Sequence, residues 1–163
     1  MAREQDTLVR TTEGTFSQLG DLIAAGRSLD PAKVKLRATK ANVAVTRTTV
    51  EADLIAAECD FTGYTAGGYA VTWSSVGADS AGNPTYASNR IRLQPSGTGT
   101  LNTIYNLWLS QITSVGPPVV SQSQMVTVLA SPKVFTAVTD YIDATIYITL
   151  RPDGVVGWID VED

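Results

Sequence analysis

The sequence predicts an all-β fold, an antiparallel β-sandwich of jelly-roll type with an N-terminal arm and one short helix. Apolar and polar residues alternate over residues 33–39, 89–95 and 141–150, and this period of two is typical of a strand with one buried face. Residues 77–84, which include Gly, Asn, Ser and Pro, separate two of these segments as a turn would. Residues 103–109 are apolar on both faces, which predicts a central strand covered on each side.

The C-terminal third carries the clearest strand pattern. Along residues 141–150 every second side chain is apolar, so one face is expected in the core. The sequence Arg-Pro-Asp-Gly at 151–154 then predicts a turn, because Pro fixes φ and Gly accepts a positive φ. Residues 155–159 are expected to return as the hairpin partner. A further strand is predicted at 69–73, with Tyr69, Val71 and Trp73 on one face.

The sequence predicts two parts of the chain, an N-terminal arm at residues 1–30 and a β-sandwich domain at residues 31–163. In the arm, apolar residues at helical spacing lie between Ser17, a possible N-cap, and Gly26, a stop signal, which predicts a short amphipathic helix. Such a helix is too short to persist alone in water and needs a surface to pack on. The one helix expected inside the sandwich begins at a Thr48-x-x-Glu51 capping box and buries the stripe formed by Val50, Leu54 and Ala57.

Composition argues against an enzyme. The chain has no histidine and one cysteine, so it lacks Ser-His and Cys-His pairs, imidazole metal sites and the ligands of a structural zinc site. No cofactor and no metal are expected. No apolar run approaches the roughly 18 residues that a membrane span needs, so no membrane partner is expected either.

The stretch AECDFTGYTAGGYAVTW, residues 57–73, raises the question of a reactive thiol. Cys59 lies between Glu58 and Asp60, and two carboxylates favour the neutral thiol over the thiolate. We therefore interpret Cys59 as a small core residue. The three glycines of the stretch, at 63, 67 and 68, are interpreted as turn positions.

Two other ligand classes stay open at this stage. A hard cation such as calcium could use the carboxylates of Asp53, Glu58 and Asp60, or the loop at 79–83, although neither has EF-hand spacing. A sugar could stack on the tyrosine and tryptophan side chains, although in a sandwich such residues are more often core and cross-strand pairs.

Charge is uneven along the chain. Residues 1–50 hold eight basic and five acidic residues, while the remainder holds four basic and eleven acidic ones, so a net +3 precedes a net −7. A basic leading segment is suited to dock on an acidic neighbour, including another copy of the chain. Its basic residues are not interleaved with aromatics, so nucleic acid is not an expected partner. The residues expected to form the interface are Phe16, Leu19, Leu22, Ile23, Arg27, Lys33, Lys35 and Arg37.

Residues 46–73, TRTTVEADLIAAECDFTGYTAGGYAVTW, resemble a stretch of small structural proteins of tailed bacteriophages, in which a threonine-rich loop precedes a helix and a turn that feeds a long strand. Later segments, TLNTIYNLWLS and VFTAVTDYIDATIYITL, are similar to two further strands of that group. The residues that carry the main match are Thr48, Thr49, Ala52, Asp53, Leu54, Ala57, Phe61, Thr62, Gly63 and Tyr64.

The resemblance implies a non-enzymatic virion component, assembled in the host cytoplasm. The leading hypothesis is a capsid decoration, or cement, protein bound to the major capsid protein or to neighbouring virion subunits, as a homo-oligomer. Two alternatives remain, a tail fibre or baseplate adaptor and a carbohydrate-binding module. The arm and the residues after Leu150 depart from the pattern of the group.

Overall fold

A computed structural model describes residues 3–7, 9–10, 34–114, 120–152 and 154–163 of the chain. Within these residues one helix, α1, spans Glu51–Ile55. The strands are β1 (Arg3–Thr7), β2 (Val9–Arg10), β3 (Val34–Thr39), β4 (Tyr69–Ala70), β5 (Trp73–Ala78), β6 (Pro84–Ser88), β7 (Ile91–Leu93), β8 (Thr103–Ser114), β9 (Val120–Val134), β10 (Ile142–Arg151) and β11 (Gly154–Glu162). No helix of the described residues is long and apolar enough to cross a membrane.

The strands form two antiparallel sheets. Sheet I has the order β1-β11-β10-β6-β5, and β7 pairs with β10 as well. Sheet II has the order β2-β9-β8-β3-β4. The prediction of an all-β sandwich is confirmed, and its jelly-roll connectivity stays a prediction.

The core lies between the two sheets. From β10, Ile142, Ala144, Ile146 and Ile148 are fully buried, as the alternation predicts. They belong to one apolar cluster with residues of sheet II, among them Leu107 of β8. Each large aliphatic side chain buried in this way stabilises the fold by about 1.5–3 kcal/mol. The β10–β11 hairpin is also confirmed, with register Arg151↔Gly154.

The central strand β8 is buried on both faces, as predicted. Its Leu107 and Leu109 face sheet I. On the outer face Trp108 packs with Leu54 of α1 and Val126 of β9, and residues 43 and 45 add to this second cluster. The helix and the loop before it therefore form an outer layer on sheet II, which we call the cover (residues 40–58).

The prediction of one continuous strand at residues 69–73 is wrong. Residues 69–70 pair with β3 in sheet II, whereas β5 begins at Trp73 and pairs with β6 in sheet I. Between them the chain crosses the core, with Val71 fully buried and its N–H donating to the carbonyl of Val34 at 3.1 Å. The alternation of side chains continues through this crossing while the hydrogen-bond partners change, so the pattern reads as one strand.

The capping box predicted for α1 is wrong as well. The N-cap residue is Val50, and no side chain caps the helix. The hydroxyl of Thr48, the expected cap, lies 3.0 Å from the hydroxyl of Thr46, while the carboxylate of Glu51 accepts the indole N–H of Trp108 in sheet II. Val50 is exposed, so the buried stripe of the helix lacks its expected first member.

The N-terminal segment contributes to both sheets. β1 pairs with β11 at one end of sheet I, from Arg3↔Glu162 to Thr7↔Trp158, and β2 pairs with β9 in sheet II. Residues 3–7 and 9–10 are thus strands of the sandwich, which differs from the prediction of an arm over the whole of residues 1–30. The amphipathic helix expected between residues 17 and 26 lies outside the described residues.

All three glycines of the 57–73 stretch have positive φ, which confirms their interpretation as turn positions. We expect Gly68→Ala to destabilise the fold by roughly 3 kcal/mol or more, because an added Cβ would lie 2.6 Å from the carbonyl oxygen of Leu36 and 2.5 Å from Cγ of Arg37. Gly67→Ala is the matched control. Its φ is also positive, but no atom lies within 4 Å of its added Cβ, so only the strain of about 1–2 kcal/mol is expected.

Urea unfolding followed by tryptophan fluorescence measures both variants. Equal losses of unfolding free energy in the two variants would contradict the close approach of residue 68 to β3.

Candidate functional site

The thiol of Cys59 is buried beneath the surface of the sandwich. The backbone N–H of Cys59 donates to the carbonyl of Ala38 at 2.9 Å, which ties this residue to β3. Burial raises the pKa of Cys59, and the neighbouring charges of Glu58 and Asp60 raise it further. A neutral, enclosed thiol is a poor nucleophile, so the interpretation of Cys59 as a core residue is confirmed.

Glu58, the residue before it, holds the guanidinium of Arg37. Nε of Arg37 donates to Oε1 of Glu58 at 2.9 Å and Nη2 donates to Oε2 at 2.6 Å. The hydroxyl of Tyr64 donates to the same Oε1 at 2.9 Å and accepts the N–H of Ala38 at 3.2 Å. Burial, followed by the negative charge of Glu58, raises the pKa of Tyr64. The two-pronged geometry is the strong form of an arginine–carboxylate contact.

Arg37 also contacts the cover. Its guanidinium carbon lies 5.2 Å from the centre of the Trp108 ring. Trp108 donates its indole N–H to Oε1 of Glu51 at 2.9 Å, and Nη1 of Arg37 lies 3.9 Å from the same carboxylate oxygen. Burial opposes the charge on Arg37, but the hydrogen bonds to Glu58 and the charges of Glu58 and Glu51 outweigh it and raise the pKa of Arg37. One buried cation therefore links β3, β8, α1 and the 58–68 loop.

This placement corrects one expectation for the interface. Arg37 is only 8% exposed and its charge is neutralised within the chain, so the expectation of a solvent-facing basic side chain at position 37 is wrong. The alternation of β3 predicts the outer face correctly, but the cover buries that face. Lys35 is half-buried on the same strand. The other members of the expected interface, namely Phe16, Leu19, Leu22, Ile23, Arg27 and Lys33, lie outside the described residues, so the interface stays a prediction.

The carboxylates considered for calcium are dispersed. Asp60 pairs with Lys40 and accepts the side-chain N–H of Asn102, and Asp53 is exposed on α1. Asp79 closes its own hairpin turn by accepting the N–H groups of residues 81 and 83, both at 2.9 Å. Among the described residues no group of three or more potential ligands could hold a metal ion.

The outer face of sheet I carries a second charged cluster. Asp143 is buried and accepts two hydrogen bonds from Arg92, both at 2.8 Å, and it pairs with Arg90, which also reaches Glu162. The hydrogen bonds from Arg92 outweigh burial and hold the pKa of Asp143 below its usual value. The guanidinium of Arg92 lies 4.0 Å from the centre of the Tyr141 ring. Both arginines are therefore engaged within the sheet, although half of each side chain remains exposed.

The aromatic side chains of this face form a cross-strand pair. Tyr147 and Trp158 are opposite each other in the β10–β11 register, with ring centres 5.2 Å apart and planes 10° apart. Each ring thus presents one face to the other ring. Phe61, Tyr64 and Tyr69 form edge-to-face contacts in the core region, as expected of packing residues.

Comparison of the chain with family models, curated proteins and solved structures gives no significant match.

We expect Glu58→Gln to destabilise the fold by roughly 2–3 kcal/mol. The substitution leaves Arg37 charged and buried, and one amide N–H₂ faces a donor of the guanidinium. The control is Asp60→Asn, which breaks the exposed pair with Lys40 and is expected to cost less than about 1 kcal/mol. Chemical unfolding at neutral pH measures both. If the two variants were equally stable, Arg37 would not be the anchor of the cover.

Proposed function

We propose that the chain is a structural protein of a tailed bacteriophage, attached to the head shell as a decoration protein. The observation that carries the proposal is that the potentially reactive side chains are occupied by contacts within the fold. In the described part of the chain, the thiol is buried and the carboxylates of residues 58, 60, 79 and 143 are each held by partners within the chain. Such a distribution supports a protein that acts by binding and not by chemistry.

The resemblance to phage proteins supports the same proposal through the fold. The residues that carry it include Leu54 and Phe61, which are buried, and Tyr64, which holds Glu58. Leu54 lies in the cover, Phe61 in the core between the sheets, and Tyr64 in the loop that follows the helix. The likeness thus concerns residues that hold the helix and its loop against the sandwich, as expected if the two groups share an architecture.

The expected partner surface is basic. Lys35 is the described member of the expected interface that solvent still reaches, and opposite charge across an interface mainly adds steering and register. A tail adaptor would use the same sandwich, and no contact within the chain separates the two locations. The number of copies in each particle distinguishes a head protein from a tail adaptor.

Heads made without this chain provide the test. We expect the purified chain to rebind such heads and to raise the temperature at which they release DNA, because a ligand that binds only the assembled shell stabilises it. Lys35→Glu should rebind at least several-fold more weakly. Arg151→Glu makes the same charge change on β10, outside the expected interface, and should rebind like the unmodified chain.

Co-sedimentation of labelled chain with heads, with and without the variants, gives the readout. Failure of the unmodified chain to sediment with heads would overturn the proposal. If both variants rebind to heads equally weakly, Lys35 does not belong to the interface.

A further inference from the structure

A cavity of about 290 Å³ opens at one end of the sandwich, where the ends of the two sheets meet. Sheet II contributes Lys133 and Val134 at the end of β9. Sheet I contributes Ile142, the first residue of β10, and Asp163, which follows β11. The turn between β9 and β10 completes the lining. This volume is close to the lower end of the range for small-molecule sites, roughly 300–1,000 Å³.

A lysine side chain lies buried in this lining. Lys133 pairs in register with Ile104, a fully buried core residue of β8, and is itself only 6% exposed. Lysine is almost never buried to this degree unless it is paired. Its Nζ lies 3.6 Å from Oδ2 of Asp163, which makes an ion pair but is too far for a hydrogen bond. The pair therefore balances the buried charge without using up the hydrogen-bonding capacity of the carboxylate.

The second oxygen of this carboxylate is an open acceptor. Oδ1 of Asp163 is buried and has no hydrogen-bond partner among the described residues. A buried acceptor without a donor costs free energy, so such an atom calls for a partner. The other acid of the lining differs, because Oδ2 of Asp140 accepts the N–H groups of Thr136 and Ala137 at 2.6 Å and 2.9 Å. Asp140 shapes the turn, and Asp163 is left to meet a ligand.

The charges of the cavity select among ligand classes. Lys133 and Asp163 neutralise each other, and Asp140 adds one negative charge. An anionic ligand would approach two carboxylates, and a cationic one would approach the ammonium of Lys133, so both are disfavoured. A neutral ligand with hydroxyl groups avoids both costs, since a hydroxyl can donate to a carboxylate and accept from an ammonium. Phe135 and Ile142 add an apolar part to the lining, which suits the C–H groups of a sugar ring.

We propose that this cavity binds one neutral sugar unit at the end of a glycan. One hydroxyl of the sugar donates to Oδ1 of Asp163, and another accepts from Nζ of Lys133. Val134 and Thr139, which also line the cavity, are exposed, so the end of a glycan can reach it from solvent. The inference adds a binding activity to the proposed function and does not depend on where the chain lies in a particle.

Nuclear magnetic resonance titration of the ¹⁵N-labelled full chain tests the proposal. The probes are glucose, galactose, mannose and N-acetylglucosamine, each added to about 50 mM, since a single sugar in such a site is expected to bind with a Kd of about 1 mM. We expect at least one of the four to shift the backbone amide signals of residues 133, 134, 141 and 163 to saturation.

Two variants locate the site. Asp163→Asn replaces one acceptor oxygen of the carboxylate by an amide and should raise the Kd at least tenfold. Thr139→Trp places a large ring at the mouth, leaves the charged pair in place and should abolish the shifts. Asp53→Asn is the control, because it makes the same charge change at an exposed position on α1 and should titrate like the unmodified chain. Circular dichroism verifies that each variant is folded.

A cationic probe, Nα-acetylarginine amide, distinguishes a sugar site from a receptor for a basic side chain of a partner protein. If this probe shifts the signals and no sugar does, the proposal is overturned in favour of that receptor. It is also overturned if none of the probes shifts them, or if both site variants bind sugar like the control. A chain that attaches to heads but binds no sugar would contradict this inference and leave the proposed function intact.

Discussion

The buried guanidinium of Arg37 constrains the outer layer of this protein. A cation removed from water costs several kcal/mol unless charges and hydrogen bonds replace its hydration. The replacement comes from Glu58 on one side and from the Trp108 ring with Glu51 on the other. Each partner belongs to a different part of the chain, so satisfying one side chain fixes the relative positions of β3, β8, α1 and the loop that follows the helix.

The same requirement shapes the loop from Glu58 to Gly68. Tyr64 must reach both Glu58 and β3, and residue 68 must pass close to Arg37 without a side chain. The lone cysteine occupies the floor of this loop and is held neutral there. The segment around Cys59, which raises the question of a reactive thiol in the sequence, thus serves to cover one face of a sheet. Among the described residues, the outward surfaces include strand edges and half-exposed charged faces.

The sequence predicts the parts of the fold that depend on local pattern. β10 and β11 follow from alternation and turn chemistry, and β8 follows from a segment that is apolar on both faces, because these patterns are local properties of the sequence. The ion pair of Arg37 and Glu58 joins residues 21 apart, and no local signal marks it. The capping box fails for the same reason, since the carboxylate of Glu51 accepts the indole N–H of Trp108, 57 residues further on, and no side chain caps the helix. The crossing at Val71 is hidden because alternation continues while the partner sheet changes. The basic outer face of β3 is predicted, but the layer that buries it depends on long-range contacts.

We propose that this sandwich serves by occupying many equivalent places on a phage head. Image reconstruction of intact particles, with the copy number of the chain measured by quantitative mass spectrometry, tests this proposal. Hundreds of copies arranged regularly over the shell are expected. A few copies at the tail, or particles that lack the chain altogether, would contradict it.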